Sequence, residues 1–123
     1  MIRWLGAFAL LVPGIAWAQT TNQIGERAFQ RCYSCHSVVK GETGLSGPNL
    51  AGLSVRAIAS DPNFKYSKAF SKFAQSNRRW TPVLLERFLA DPQKLVPGND
   101  MGFFGLKKAD ERSAIVTYLM EIR

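Results

Sequence analysis

Five consecutive residues, Cys32-Tyr33-Ser34-Cys35-His36, hold both cysteines and the one histidine of the 123-residue chain. The spacing is informative because positions i, i+3 and i+4 of a helical turn share a face, so two thiols and an imidazole can meet one planar group. This is the C-x-x-C-H arrangement of covalent haem attachment: the thiols reach the porphyrin vinyl groups and the adjacent imidazole reaches iron. A structural disulfide, a thioredoxin-like redox pair and half of a zinc site compete with that reading. A redox pair would sit beside a βαβ pattern, which is absent, and a zinc site would need a further Cys or His, which the chain lacks.

The same shortage narrows the other axial position. With His36 and both cysteines assigned, a sixth protein ligand must be a methionine, a lysine or something weaker. Met120 lies about 140° round from Ile115 at 100° per residue, off the apolar stripe of the last helix, and suits a flanking packing residue. Met101 lies in PGNDMGF, where Pro97 and Gly98 allow a loop to carry a thioether to iron. Met101 is therefore the expected distal ligand. A His/Met pair closes both axial positions and raises the reduction potential relative to more strongly donating pairs.

Residues 1–18, MIRWLGAFALLVPGIAWA, combine Arg3, an apolar run from Leu5 to Val12, and small residues Ala16 and Ala18. They read as a signal peptide cleaved after Ala18. The run is shorter than the roughly 20 residues a spanning helix needs, and Pro13-Gly14 interrupts it. Residues 19–123 are then expected as one exported, periplasmic domain. The leader holds one of the 16 basic residues and none of the 9 acidic ones, so the remainder keeps a formal charge of +6. Such a balance suits docking on acidic proteins, and export argues against nucleic acid.

No internal repeat and no strand-like alternation is present, and the expected fold is all-α. Thr21 or Asn22 can cap a first helix with Ile24, Ala28, Phe29 and Cys32 on one side. The segment from Gly41 to Phe64 is rich in Gly, Ser, Pro and Asn and reads as a loop of the length that wraps something. Ser67 can cap a helix carrying Ala69, Phe70, Phe73 and Ala74, and Thr81-Pro82 opens another with Leu84, Leu85, Phe88 and Leu89. That helix must stop near Asp91 because Pro92 follows. PQKLVPGNDMGFFG reads as loop, and Lys108 to Ile122 as the last helix, with Arg112, Ile115, Val116, Leu119 and Ile122 on one stripe.

CYSCH, SGPNLAGL followed by Arg56, FKYS, the lone Trp80 of residues 19–123, PGNDMGF, GLKK and ERSAIVTYL occur in an order that resembles the class I cytochromes c, the small cytochrome c fold of soluble mitochondrial and bacterial carriers. The resemblance implies one haem c, bound through Cys32 and Cys35, with His36 as proximal and Met101 as distal ligand. It implies that the Pro48 carbonyl accepts the His36 ring N–H, that Tyr66 and Trp80 hydrogen-bond a haem propionate, that Arg56 offsets its charge, and that Asn99 assists. Phe103 would shield the haem edge near Met101, and Gly25 would cross the last helix beside Tyr118. The implied function is one-electron carriage by a monomer, not catalysis. Its partners would be a cytochrome bc complex, terminal oxidase, photosynthetic reaction centre or periplasmic reductase.

Several positions depart from the vertebrate pattern. Phe88 stands where a tyrosine often bonds the methionine sulfur, and Asp100 and Leu45 stand where lysines are frequent. Asn99 replaces a frequent threonine. Arg31, Lys94, Lys107 and Lys108 match basic positions around the exposed edge, and Arg78-Arg79 precede Trp80 as in bacterial members.

Overall fold

The computed structural model describes residues 19–123; the leader and its cleavage after Ala18 lie outside the described residues. Five helices follow in order: α1 (Thr21–Phe29), α2 (Lys68–Ser76), α3 (Pro82–Ala90), α4 (Pro92–Leu95) and α5 (Ala109–Glu121), with a 3-10 turn at Gln30–Cys32 continuing α1. The described residues contain no strand, as an all-α chain should.

The cap of α1 falls one residue earlier than the sequence suggests. Thr20 Oγ1 accepts from Gln23 N at 3.3 Å, and Thr20 N donates to Gln23 Oε1 at 2.9 Å. Thr21 and Asn22 lack the glutamine three residues on that makes this reciprocal box. The buried line of α1 also differs: it is Gly25 and Phe29, while Ile24 is exposed. The cause is the crossing with α5. A Cβ on Gly25 would lie 2.4 Å from the Ala114 carbonyl oxygen and 2.5 Å from Tyr118 Cβ, so the helices touch where a side chain is missing. Phe29 and Ile115 seal the crossing at 1% and 0% exposure.

Ser67 and Thr81 cap α2 and α3 as expected, accepting from Phe70 N and Leu84 N at 3.0 and 3.1 Å. Pro92 does not merely end α3. Asp91 accepts from Lys94 N at 3.1 Å and opens α4, a turn of helix within the segment expected to be loop. On α5 the buried set is Ala114, Ile115, Val116, Tyr118 and Leu119. Arg112 is half-buried because it braces α5 against α3, giving Nε to Glu86 at 2.9 Å and Nη1 to the Leu106 carbonyl at 2.7 Å.

From Tyr33 to Ser67 the backbone forms turns but no helix, and side chains replace the missing ladder. Asn49 is the hub. Its Nδ2 donates to the carbonyls of Val39 and Glu42 at 2.7 and 2.9 Å, and its Oδ1 accepts from Ala51 N at 2.8 Å. Its backbone N–H donates to Asp61 Oδ2 at 2.9 Å, and its carbonyl accepts from Arg56 Nη2. Backbone groups outside secondary structure find partners in side chains of this kind.

Candidate functional site

The 3-10 turn after α1 carries the cysteine motif onward as helical backbone. Cys35 N and His36 N both donate to the Cys32 carbonyl, at 3.1 and 2.9 Å. One turn therefore presents Cys32, Cys35 and His36, and all three line a cavity of about 260 Å³. The two thiols are not joined to each other. Burial pushes the Cys32 thiol up to about 11. Cys35 is exposed, and hydrogen bonds with Ser46 and then Ser34 hold its thiol below the usual range.

His36 Nδ1 lies 2.7 Å from the Pro48 carbonyl oxygen, which can only accept, so Nδ1 carries the proton and Nε2 keeps its lone pair. Burial lowers the His36 pKa against the raising effect of that bond, which favours the neutral ring a metal needs. Gly47 makes room for it: a Cβ there would sit 2.5 Å from His36 Cε1 and 2.8 Å from Nδ1. No reading of the sequence singled out Gly47, although its place directly before Pro48 was the available signal.

The remaining walls are chiefly apolar, with Leu53, Leu85, Phe88 and Leu119 buried among them. Tyr66, Phe70, Phe88 and Trp80 form a linked aromatic wall with ring centroids 5.6, 5.8 and 5.3 Å apart in turn. Pro48, Arg56, Tyr66 and Trp80 all line the cavity. Tyr66 Oη accepts from Asp61 N at 3.2 Å, which leaves its own proton to donate. Arg56 is tied by Nε to the Ala51 carbonyl at 3.3 Å and by Nη2 to the Asn49 carbonyl, so its charge is fixed at the rim of the loop.

Met101 lines the same cavity, at the end of a turn whose form follows from its residues. Asn99 N donates to the Val96 carbonyl at 3.1 Å across Pro97-Gly98, and Gly98 has φ +83°, the left-handed value a Pro-Gly type II turn requires at that position. Asn99 lines the cavity but has no donor left for a bound group. Its Nδ2 donates to the carbonyls of Pro92 and Val96 at 3.0 and 2.8 Å, and its Oδ1 accepts from Met101 N at 2.9 Å. Asn99 therefore meets the cavity with its side-chain donors already engaged. Phe103 is half-buried against the core, while Phe104 is 90% exposed.

The donor set fits a covalently held haem: two unjoined thiols and a neutral imidazole on one turn, a thioether on another, and apolar walls between. Of the basic residues expected around the edge, Arg31 and Lys108 pair with Glu111 at 3.4 and 3.6 Å, and Lys107 Nζ lies 3.4 Å from the Ala90 carbonyl.

This is the architecture of a c-type haem domain, helical elements and side-chain-stapled loops closed on one apolar cavity. No family model matches the chain. It is similar to cytochrome c2 of Rhodoplanes tepidamans, 43% identical over 101 residues that cover 82% of this chain and 100% of the relative. Cytochrome c2 of Agrobacterium tumefaciens (strain II Chrys) is 38% identical over 96 residues, 78% of this chain and 86% of the relative. Cytochrome c of Chlamydomonas reinhardtii is 40% identical over 98 residues, covering 79% and 85%. The chain belongs to the class I cytochrome c family, electron-transfer proteins rather than enzymes.

Proposed function

We propose that this protein is a periplasmic one-electron carrier whose haem c is bound through Cys32 and Cys35 and held axially by His36 and Met101. The observation that carries the reading is that His36, with its Nδ1 proton committed to Pro48, and Met101 line one apolar cavity with both thiols. Haem iron supplies the ferrous–ferric couple. The chain's own residues do the rest. The turn at 32–36 orients the imidazole, Phe70, Trp80 and Phe88 keep water away, and Arg56 and Tyr66 offer a charge and a proton to propionates. The signal peptide ending at Ala18 directs export, and residues 19–123 work as a monomer.

The formal +6 of those residues steers acidic faces of redox partners toward the haem edge. A cytochrome bc complex, a terminal oxidase, a photosynthetic reaction centre and a periplasmic reductase are the partner classes this charge suits. Charges more than about 10 Å apart are screened at 0.1 M salt, so reduction by an acidic partner slows as ionic strength rises. A rate indifferent to salt would refute the steering.

The ligand set is tested on the exported protein. Haem staining should survive a denaturing gel, and the ferric spectrum should show a methionine sulfur-to-iron charge-transfer band that Met101→Ala abolishes. A high-spin ferric spectrum in the unsubstituted protein would overturn the carrier reading.

A further inference from the structure

Asn99 is a buried amide, 6% exposed, that makes three side-chain hydrogen bonds. Two carbonyls at one end and one N–H at the other use its full donor set and fix which way the amide points. The carbonyls belong to Pro92 and Val96, the body and C-cap of α4, whereas the N–H belongs to Met101. One side chain thus ties the methionine directly to the helix before it. Gln93, exposed on α4, repeats the device from outside. Its Nε2 donates to the Asn99 carbonyl at 2.9 Å and its Oε1 accepts from Gly98 N at 3.2 Å. Five side-chain bonds from two residues therefore span a segment whose own backbone supplies only the 99-to-96 and 103-to-101 turns.

We propose that Asn99 and Gln93 are positioning residues that clamp the turn bearing Met101 onto α4 and so set how readily an external ligand displaces the Met101 thioether from iron. The inference rests on the reading of Met101 as distal ligand. Neither residue touches iron. Each acts through the turn: for the thioether to withdraw, the backbone at 99–101 must shift, and the shift strands a buried amide and a half-buried N–H. Stranded buried polar groups oppose the motion more strongly than exposed ones would, so Asn99 contributes more than Gln93. A fixed turn also keeps the thioether poised to return, the preorganised state of a ligand that has lost its freedom before binding.

Imidazole titration of the ferric holoprotein measures the displacement. Asn99→Ala should raise imidazole affinity about tenfold and Gln93→Ala about threefold, the losses expected for buried and exposed hydrogen bonds. In the Met101→Ala background, where nothing remains to be displaced, the same substitutions should leave imidazole affinity unchanged. A merely structural loosening would raise it in both backgrounds and would overturn the clamp. So would wild-type affinity in both single variants. If Asn99→Ala does not accumulate as holoprotein, Gln93→Ala, at an exposed position, decides alone. Should Met101→Ala retain the charge-transfer band, the distal-ligand reading fails and the clamp with it; loss of the band with unaltered imidazole affinity in the clamp variants sinks the clamp alone.

Discussion

Gly25 and Gly47 do their work by what they lack. At Gly25 the missing methyl lets α1 rest on the Ala114 carbonyl and Tyr118. Gly25→Ala must drive α1 off α5 and with it loosen the seal of Phe29 on Ile115, and overpacking of this kind costs about 1–3 kcal/mol. Chemical denaturation of the holoprotein should show that loss, and an unchanged midpoint would mean that the helices separate freely. Residue chemistry also decided what could be read in advance. Cys32, Cys35, His36 and Met101 stand out in the sequence because few side chains can bond carbon or iron, and the cavity gathers all four. The bonds of Asn99 leave no mark in the sequence, because an amide has no chemistry of its own until its neighbours are known. Ile24 was misread because periodicity counts apolar residues and gives a glycine no weight.

At the scale of elements, caps were the most legible signals. Ser67 and Thr81-Pro82 stand where the sequence puts them. The pair Asp91-Pro92 has the same grammar as Thr81-Pro82, yet the helix it opens has four residues, too few for any periodicity. The junction of α1 and α5 carries a titration of its own. Tyr33, within the haem-binding motif, meets Tyr118 of α5 with the hydroxyls 3.2 Å apart. Burial, and then the bond to Tyr33, raises the Tyr118 pKa above its ordinary value near 10. Above pH 10 the unfolded chain gives up this proton while the folded chain keeps it. Folding stability therefore falls as pH rises, by up to about 1.4 kcal/mol per unit. Tyr118→Phe should be about 1 kcal/mol less stable at pH 7, where the hydrogen bond is lost, but should decline less steeply between pH 10 and 11. Parallel declines in urea denaturation would contradict this.

For the whole molecule, the cavity is the core. Leu53, Leu85, Phe88, Leu119 and Trp80 turn their buried surfaces to it, so the largest apolar group inside the domain must be the one it binds. Apolar side chains lining a cavity of about 260 Å³ are kept from water by what fills it, so the fold depends on that occupant. The chain with Cys32→Ser and Cys35→Ser, produced without haem, should lose the near-ultraviolet dichroism of Trp80 and unfold without a sharp transition. A native-like signal would show that the helices support one another alone. The loop over 41–64 was legible as a wrapper from its length and composition; its staples were not, since hydrogen bonds between residues 49 and 61 leave no periodic trace.

Those staples give the molecule uneven lifetimes. Backbone tied by helix ladders opens only with much of the fold, whereas backbone tied through one side chain opens whenever that side chain lets go. The Asn49 side chain alone holds Val39, Glu42 and Ala51, so a single rotamer change releases those loop segments together. In Asn49→Ala, amide hydrogens near residues 39–51 should exchange with solvent about tenfold faster while those of α5 keep their rates, and a protease should make its first cut there. Equal exchange in Asn49→Ala and the unsubstituted protein would show that the loop opens by some other hinge. The side of the protein that wraps the cofactor is thus the side where it first comes undone.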